Sequence, residues 1–453
     1  MNNFSKFLEY RKKYPEFIFE KYEINDEKEC YNITYFFEIV GLTSFSPSIS
    51  IDKKFIKNEN INMEFFKYLV FHIGMVEVIS YFKCTCSPNI IVKAGYLNDE
   101  QINWFKKLYY HGLGEFLYTN GIDIKMDELV DIKCVGEPLH FGDVNYNGVG
   151  NLIPVGGGKD SIVSLELLKD EDSNSCFIMN PKEVTLKCCK TAGYLDDDII
   201  TVKRYLDRKI VDINNQGFLN GHTPLSAIIA FVSYLTAYVS NKKYIVLSNE
   251  SSANESSVVG TDINHQYSKS YEFENDFNQY TKRYFNIDIK YFSLLRPLTD
   301  FQIAKIFANY KKYHKIFKSC NLGSKGNVWN WCLDCSKCLF IYVILSPFLN
   351  KDELIQIFGE DLYERSDLLD TFIGLLGYST NKPFECVGTY DEVKYAVSLA
   401  VSNYKDNLPY LLKYYKDNYP LFLDSTKVLE YNEENNLDKR FDDIVRKAVC
   451  DYV

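Results

Sequence analysis

The sequence lacks an excess of positive charge. Its 61 aspartates and glutamates outnumber its 51 lysines and arginines, and the net charge is −10. Non-specific nucleic-acid binding requires a basic surface that neutralises phosphates, so the composition disfavours that class of protein. The first six residues lack the charged and apolar regions of a signal peptide. The longest apolar stretch, 227–239, is too short to cross a bilayer. We therefore expect a cytoplasmic protein that binds neither nucleic acid nor membrane.

The chain is long for a single hydrophobic core. It has 453 residues, of which 46% are hydrophobic and 25% charged, as in a globular protein with two or three domains. The glycine-rich stretch Gly136–Gly150 is typical of a linker. We predict an N-terminal α+β domain over 1–145, suited to substrate binding, a catalytic domain over 146–348 and a mostly helical region over 349–453. No pattern indicates the oligomeric state.

The stretch Asn151–Ser161 carries the clearest functional signal. Leu152–Val155 is typical of a buried strand, and three glycines precede an amphipathic helix over 162–169. A glycine turn before a helix presents backbone N–H groups and a partial positive charge, which suit a phosphate or pyrophosphate. Two common phosphate loops are excluded, because neither GxxxxGK[ST] nor GxGxxG matches. The alternative interpretation is a plain strand–turn–helix joint.

Short apolar strands alternate with helices from residue 151 to about residue 300. This alternation predicts an α/β fold with a doubly wound parallel sheet. Ligands of such sheets collect at the carboxyl ends of the strands. The groups predicted at those ends, apart from the loop after Ser248, are Gly156, Gly157, Gly158, Lys159, Asp160, Ser161 and Asn180.

The loop after Ser248 is long, polar and lightly charged. Its carboxylates Glu250 and Glu255 suit a magnesium ion that bridges phosphates. His265 is a candidate base, and Lys269 is a candidate partner for a phosphate or carboxylate. The alternative is a solvated loop without function. The candidate residues of this loop and of the strand end that follows it are Ser248, Asn249, Glu250, His265, Lys269 and Arg296.

The chain has 13 cysteines and no export signal, which favours reduced thiols and one metal site over disulfides. Cys332, Cys335 and Cys338 have two residues between successive cysteines, and Cys320 lies twelve positions before the first. Four thiolates at this spacing can enclose a structural zinc ion. An iron–sulfur cluster uses the same ligands, and buried free cysteines are the third alternative. Two further cysteines are interpreted as incidental, Cys386 and Cys450.

The six residues Gly156–Ser161 resemble the pyrophosphate loop (PP-loop) of the N-type ATP pyrophosphatases, whose pattern is Ser-Gly-Gly-x-Asp-Ser. Glycine replaces the first serine. A loop followed by four cysteines also resembles 7-cyano-7-deazaguanine synthase, a shorter protein without a preceding domain. Over most of its length the sequence is similar to the ATP-dependent UDP-N-acetylmuramoyl-L-alanyl-L-glutamate epimerases of peptidoglycan synthesis. The segments that carry this similarity are Cys86–Pro88, Ala94–Gly95, Gly112–Phe116, Pro154–Ser161, Asn220–His222, Ser248–Glu250, His265–Ser270, Arg296–Pro297 and Trp331–Phe348.

This resemblance implies a fold of the adenine nucleotide alpha hydrolase type, ATP and Mg²⁺ as cofactors, and AMP and pyrophosphate as products. The substrate would be a peptide ending in L-glutamate, free or linked to a nucleotide sugar, that is epimerised through an acyl-adenylate. Lys159, Lys269 and Arg296 would offset phosphate charge, and Asp160 or the glutamates would position Mg²⁺. His265 is expected to transfer one proton, with Lys269 as the nominee for the second. The alternatives are another ATP-dependent enzyme that amidates or ligates a carboxylate, and a non-catalytic nucleotide-binding module.

Overall fold

The computed structural model describes residues 2–258, 260–320, 322–323, 330–379, 382–404 and 407–453. Its strands, numbered in chain order, are β1 Glu16–Asp26, β2 Cys30–Ile39, β3 Thr43–Phe45, β4 Ser48–Asp52, β5 Asn89–Val92, β6 Asp131–Cys134, β7 Asn151–Pro154, β8 Ser175–Met179, β9 Ile199–Tyr205, β10 Tyr244–Leu247 and β11 Lys290–Ser293.

The α-helices before residue 290 are α1 Asn3–Lys13, α2 Met63–Phe82, α3 Asp99–Gly112, α4 Gly114–Thr119, α5 Met126–Leu129, α6 Lys159–Leu168, α7 Glu183–Ala192, α8 Lys209–Asn215, α9 Leu225–Val239 and α10 Tyr271–Tyr284. Those after it are α11 Asp300–Ala308, α12 Ser336–Leu345, α13 Lys351–Phe358, α14 Leu369–Leu375, α15 Tyr390–Tyr404, α16 Tyr410–Asn418 and α17 Lys439–Tyr452.

The chain divides into two compact units that interleave along the sequence. Unit 1 comprises Met1–Leu152, Ile200–Ile245 and Asp276–Lys290. Unit 2 comprises Ile153–Ile199, Val246–Asn275 and Tyr291–Val453. The linear domains 1–145, 146–348 and 349–453 divide the chain in a different way and stay a prediction.

Unit 1 is built around a mixed sheet in which β1 is central. β1 pairs with β2 in antiparallel and with β5 in parallel orientation. β2 continues antiparallel to β4, β4 to β9, and β5 continues parallel to β6. Every second residue of the last part of β2 is buried, namely Ile33, Tyr35, Phe37 and Ile39. This period of two is the pattern of a strand with one face on a core.

The helix α2 covers this core. It spans 20 residues and is long and apolar enough to cross a membrane by length and composition, whereas the uncharged stretch 227–239 lies in a shorter apolar helix. The apolar window of α2 is 89% buried. The buried helix packs on α9, with the rings of Phe65 and Tyr238 5.0 Å apart. A buried core helix of a globular protein has the same composition, so α2 is weak evidence for a membrane span.

Unit 2 contains the strand ends that follow the glycine-rich turn. The strands β11, β10, β7 and β8 are neighbours in that order, and β10 and β7 are parallel. After the ends of these strands, Val155 donates to Phe177 O over 2.9 Å and Leu294 donates to Leu247 O over 2.8 Å. The turns that leave β7 and β10 therefore lie at one edge of the sheet.

The mixed α/β class, with parallel strands around the glycine turn and a helical C-terminal region, is confirmed. Thr299 and Gln302 form a capping box at the start of α11. The doubly wound arrangement and the adenine nucleotide alpha hydrolase fold stay predictions.

Candidate active site around the glycine loop

The turn after β7 requires glycine at one position and is crowded at a second. Gly157 has a φ of +83°, a left-handed conformation that side chains disfavour. A Cβ atom on Gly158 would lie 2.6 Å from Ser319 Oγ. A Cβ atom on Gly156 would meet nothing within 4 Å, so the serine of the PP-loop pattern would fit there. The backbone therefore requires glycine at Gly157, and the side chain of Ser319 would have to move to accommodate a larger residue at Gly158.

The helix α6 begins at Lys159, earlier than the predicted start at Ile162. Its N-cap residue is Gly158, and no side chain caps the helix there. Ser161 Oγ donates to Gly158 O over 3.1 Å. Asp160 lies in the first turn, where the helix dipole favours an anion. The first turn of α6 thus offers a backbone dipole of the type that binds phosphate groups.

A buried ion network lies under this turn. The ammonium of Lys159 contacts the carboxylates of Asp160 and Asp300, and the Lys159 side chain is fully buried. Burial alone would lower the pKa of Lys159, but the charges of Asp160, Asp300 and Glu250 raise it above its ordinary value. Lys159 is therefore charged at neutral pH, and it joins the glycine loop to the start of α11.

Two further carboxyl groups of this network behave differently. Burial, followed by the charges of Asp300 and Asp160, raises the pKa of Glu250 to about 7. Burial would also raise the pKa of Asp300, but Lys159 and Lys337 lower it below its ordinary value. Ser252 Oγ donates to Asp300 over 3.2 Å. Near neutral pH, Asp300 is thus a fixed anion, whereas Glu250 exchanges a proton.

Arg296 fastens the two functional loops to each other. Its guanidinium donates to Glu250 O over 2.8 Å and to Lys269 O over 2.6 Å. It also pairs with the Glu274 carboxylate at 3.1 Å, and the Arg296 side chain is fully buried. The residue therefore positions the backbone of both loops. Its predicted contact with phosphate stays a prediction.

His265 and Lys269 meet a residue from much later in the chain. Lys269 Nζ lies 3.1 Å from Cys386 Sγ, and His265 hydrogen-bonds the same thiol. Lys337 Nζ donates to the backbone oxygen of Cys386. Burial would raise the pKa of Cys386, but Lys269, His265 and Lys337 lower it to about 5. The cluster is therefore a thiolate held by cationic groups.

The other predicted residues lie at strand ends of unit 2. Ser248 Oγ donates to Ser164 Oγ over 2.8 Å, and Asn249 Nδ2 donates to Ser293 Oγ over 3.0 Å. Asn180 follows β8, is exposed and has a φ of +55°. The charges of Asp160, Lys269 and Lys159 act on Glu250, and the charges of Glu250 and Asp160 act on Lys269.

Sequence reasoning missed three members of the network. In the sequence, Asp300 is simply the residue after the N-cap residue Thr299, and Lys337 is one of two residues between Cys335 and Cys338. Neither position indicates a role in a charge network. Cys386 was interpreted as incidental because no motif surrounds it. Its lysine partner lies 117 positions away, so no local pattern could have identified it.

The four motif cysteines come together in a second cluster. The distances between sulfur atoms are 4.0 Å for Cys320 and Cys335, 3.8 Å for Cys332 and Cys338, and 3.5 Å for Cys335 and Cys338. All four sulfurs lie within 4.8 Å of one another. Zinc–sulfur bonds of about 2.3 Å in a tetrahedron separate the sulfurs by about 3.8 Å. An iron–sulfur cluster holds several iron and sulfide ions between its thiolates and requires wider spacing. The geometry is therefore compatible with one structural zinc ion.

We expect the purified protein to contain about one zinc ion per chain. Replacing Cys335 by serine should remove the metal and lower the Tm by at least about 5 °C, because a structural zinc contributes folding free energy. Elemental analysis and thermal unfolding measure both. Replacing the exposed Cys450 by serine is the matched control and should change neither. Iron in place of zinc would favour the cluster alternative, and the absence of both metals would contradict a metal site.

The chain is similar to proteins of known name over most of its length. Two family models match it, the MurL N-terminal domain over residues 9–294 and the MurL C-terminal domain over residues 316–427. A UDP-N-acetyl-alpha-D-muramoyl-L-alanyl-L-glutamate epimerase from Xanthomonas oryzae pv. oryzae is 33% identical over 73% of this chain and 74% of its own length. The protein of the same name from Salinispora tropica is 34% identical over 72% of each chain. A third, from a Micromonospora species, is 32% identical over 72% of this chain and 73% of its own length.

Proposed function

Because the chain belongs to the MurL family, we propose that it is an epimerase that converts the terminal L-glutamate of UDP-N-acetylmuramoyl-L-alanyl-L-glutamate to D-glutamate. The observation that carries this proposal is the similarity to epimerases of that name over nearly three quarters of the chain. The arrangement of a glycine loop, buried carboxylates and a cationic cluster within unit 2 supports it.

The chemistry requires activation of the substrate. An α-proton beside a free carboxylate is hard to remove, because the carbanion would lie next to an existing negative charge. Transfer of AMP from ATP to that carboxylate removes the charge and attaches an electron-withdrawing group, which makes the α-carbon more acidic. Hydrolysis of the acyl-adenylate after epimerisation releases the D-residue and AMP, and makes the overall conversion effectively irreversible.

In this proposal the glycine loop holds the pyrophosphate that leaves ATP. The backbone of Gly157 and Gly158 and the first turn of α6 supply the dipole for the phosphates. Lys159 is bound by two carboxylates in the structure, so it acts on the phosphates by setting the orientation of Asp160 and by its own charge. Electrostatic stabilisation of this kind, from groups already in place, is a large part of catalysis.

The residues beside the loop fit a magnesium ion that is shared with ATP. Among the described residues, no three carboxylates at the loop lie within 4.8 Å of one another, so a complete protein cage is absent there. Magnesium commonly binds through one or two carboxylates, with phosphates and water as its other ligands. Asp160, with 27% of its side chain exposed, and Glu250 would hold it. Burial and the charges of Asp300 and Asp160 raise the pKa of Glu250, and a bound cation would lower it and favour the ionised form.

The second loop handles the substrate in this proposal. Lys269 offsets the negative charge that develops on the activated carboxyl group, and His265 transfers a proton. Arg296 holds the backbones of the two loops together through its hydrogen bonds to Glu250 O and Lys269 O. This places Arg296 behind the site, where it positions other groups.

The test is an assay of two products, AMP and D-glutamate. We expect the protein with ATP and Mg²⁺ to produce AMP and a D-configured terminal glutamate from UDP-N-acetylmuramoyl-L-alanyl-L-glutamate. The same assay with the L-alanyl-L-glutamate dipeptide shows how much the nucleotide sugar contributes to the rate. Nucleotide analysis and chiral chromatography of the hydrolysed product are the measurements. AMP without D-glutamate would reject the epimerase and favour a carboxylate-adenylating ligase or amidating enzyme. No ATP-dependent reaction at all would favour a non-catalytic module.

A further inference from the structure

The segment that leads into α15 carries a cysteine that the proposed mechanism has not used. Cys386 is half-buried, and its sulfur lies 3.1 Å from the ammonium of Lys269. His265 hydrogen-bonds the sulfur, and Lys337 holds the backbone oxygen of the same residue. The thiol is thus fixed from its side-chain and its backbone end. Such fixation is typical of a group whose position matters for function.

The electrostatic environment of Cys386 differs from that of the core cysteines. Burial raises the pKa of Cys84 and of Cys188 to about 12, so both remain thiols. The pKa of Cys386 is lowered to about 5 although burial would raise it, because Lys269, His265 and Lys337 surround it. Glu385 beside it adds a carboxyl group whose own pKa is raised by burial. At neutral pH Cys386 is therefore a thiolate held by two lysines and a histidine, and the thiolate is the ionised form required of a base.

This thiolate belongs to the same charge network as the glycine loop. Lys269, its ammonium partner, also interacts with Glu250 and Asp160, which lie beside the loop. Arg296 bonds the backbone of Lys269 and of Glu250, which keeps the cluster and the loop together. Cys386 is therefore coupled to the groups that would activate the carboxyl group.

A buried acceptor in the same segment is available for a hydrogen bond from a ligand. Gln266 follows His265 directly and is 6% exposed. Its Oε1 atom has no hydrogen-bond partner within the part of the chain that the structure describes. Buried acceptors are normally satisfied, so an N–H group supplied by a ligand would complete this one. A peptide substrate carries such N–H groups next to its α-carbons.

We infer that Cys386 is a proton-transfer residue of the epimerisation, and that Lys269 and His265 are the positioning residues that hold its sulfur. This inference rests on the proposed function and identifies the group that acts on the α-carbon of the terminal glutamate. It revises the roles of His265 and Lys269, which act through the sulfur.

The proton transfers balance without a further reactant. The Cα–H bond breaks and an S–H bond forms on Cys386, while the electron pair moves into the activated carboxyl group as an enolate. A second acid on the opposite face gives its proton to the α-carbon, which inverts the configuration. That acid regains a proton from water, and Cys386 returns its proton to water through His265. The α-hydrogen of the product therefore comes from solvent.

The experiment compares Cys386→Ala and Cys386→Ser with Cys450→Ala in deuterated water, with the nucleotide-linked peptide, ATP and Mg²⁺. D-glutamate, deuterium at the α-carbon and AMP are measured for each protein. We expect both Cys386 variants to lose epimerisation and deuterium uptake by about 10²–10⁴-fold, the usual contribution of a general base. AMP formation should stay within several-fold of the wild type. Cys450 is exposed, so its variant should match the wild type in all three measurements.

The outcomes separate this inference from the proposed function. Epimerisation by Cys386→Ala within twofold of the wild type would overturn the role of Cys386 and leave the epimerase intact. A wild-type protein that forms no D-glutamate and takes up no deuterium would overturn the proposed function itself.

Alkylation provides a second measurement that does not depend on a folded variant of Cys386. In the wild type at pH 7, iodoacetamide should modify Cys386 at least about tenfold faster than Cys450, because only the thiolate reacts. Lys269→Gln should remove most of this difference by raising the pKa of the thiol. Peptide mass spectrometry measures both rates. Equal rates at the two cysteines in the wild type would overturn the inference.

Discussion

Replacing Asp160 by asparagine is expected to reduce ATP-dependent AMP formation by at least about 10²–10³-fold. The carboxylate lies in the first turn of α6, beside the glycine loop, and contacts the ammonium of Lys159. In the proposed mechanism this carboxylate would hold a magnesium ion, which would offset the charge of the phosphates. Asparagine keeps the shape of the side chain but removes its charge, so the affinity for the hard cation falls. Pyrophosphate and AMP release under saturating ATP measure the effect.

The matched control for this change is Asp170→Asn. Asp170 is exposed beyond the end of the same helix, and its substitution should leave AMP formation unchanged. The Asp160 variant should also lose most of the difference in nucleotide affinity between ATP with and without Mg²⁺. Full AMP formation by Asp160→Asn would remove this residue from the adenylation site.

Replacing Lys159 by methionine is expected to lower the free energy of unfolding by about 3–5 kcal/mol. Its ammonium is the buried partner of Asp300, of whose side chain only 3% is exposed. Methionine has similar length and no charge, so the Asp300 carboxylate would lose its paired ammonium and keep only the charge of Lys337 and the hydrogen bond from Ser252. Chemical denaturation at pH 7 measures the loss, and AMP formation should fall with it because Asp160 loses its partner as well.

A double variant distinguishes lost pairing from lost packing. Lys159→Met with Asp300→Asn should recover at least about 1 kcal/mol relative to Lys159→Met, because the second change removes the unpaired charge. Lys169→Met, at an exposed position beyond α6, should stay within about 0.5 kcal/mol of the wild type. Unchanged stability of Lys159→Met would show that the ion pair contributes nothing.

The pH dependence of this effect has a defined direction. The pKa of Asp300 in the folded protein lies below its ordinary value of 3.8, so folding favours its ionised form. Its contribution to stability is present above pH 3.8 and is lost as the pH falls through the folded-state pKa. The difference in stability between the wild type and Lys159→Met should therefore shrink in acid.

Local patterns in the sequence predicted several elements correctly. The strand predicted at Leu152–Val155 is present as β7, and a helix follows the glycine turn as predicted, because an apolar run and a glycine turn leave signatures within a few residues. The four cysteines were predicted to cluster, and their sulfurs do. The strands β1 and β2 were not predicted, since their antiparallel register depends on partners rather than on a local motif.

Long-range electrostatics were beyond the reach of those patterns. Arg296 follows a strand end in the sequence, which suggested a phosphate ligand. In the structure its side chain is fully buried and donates hydrogen bonds to two backbone oxygens. Cys386 has no sequence context at all, yet it meets Lys269 across 117 positions. The pKa of a side chain depends on burial and on neighbouring charges, and both are properties of the folded chain.

The sequence by itself determined the glycine turn, its helix and the grouping of four cysteines, because backbone freedom at glycine and short ligand spacing are local properties. Its resemblance to an epimerase family also named the reaction. Only the tertiary structure decided which charges meet: Lys159 pairs with Asp300 across 141 positions, and the thiol of Cys386 lies against Lys269. Chain folding brings these groups together in a low-dielectric interior. The strength of a charge pair there depends on the distance between the charges and on their desolvation. Neither quantity can be read from the residues that are neighbours in the sequence.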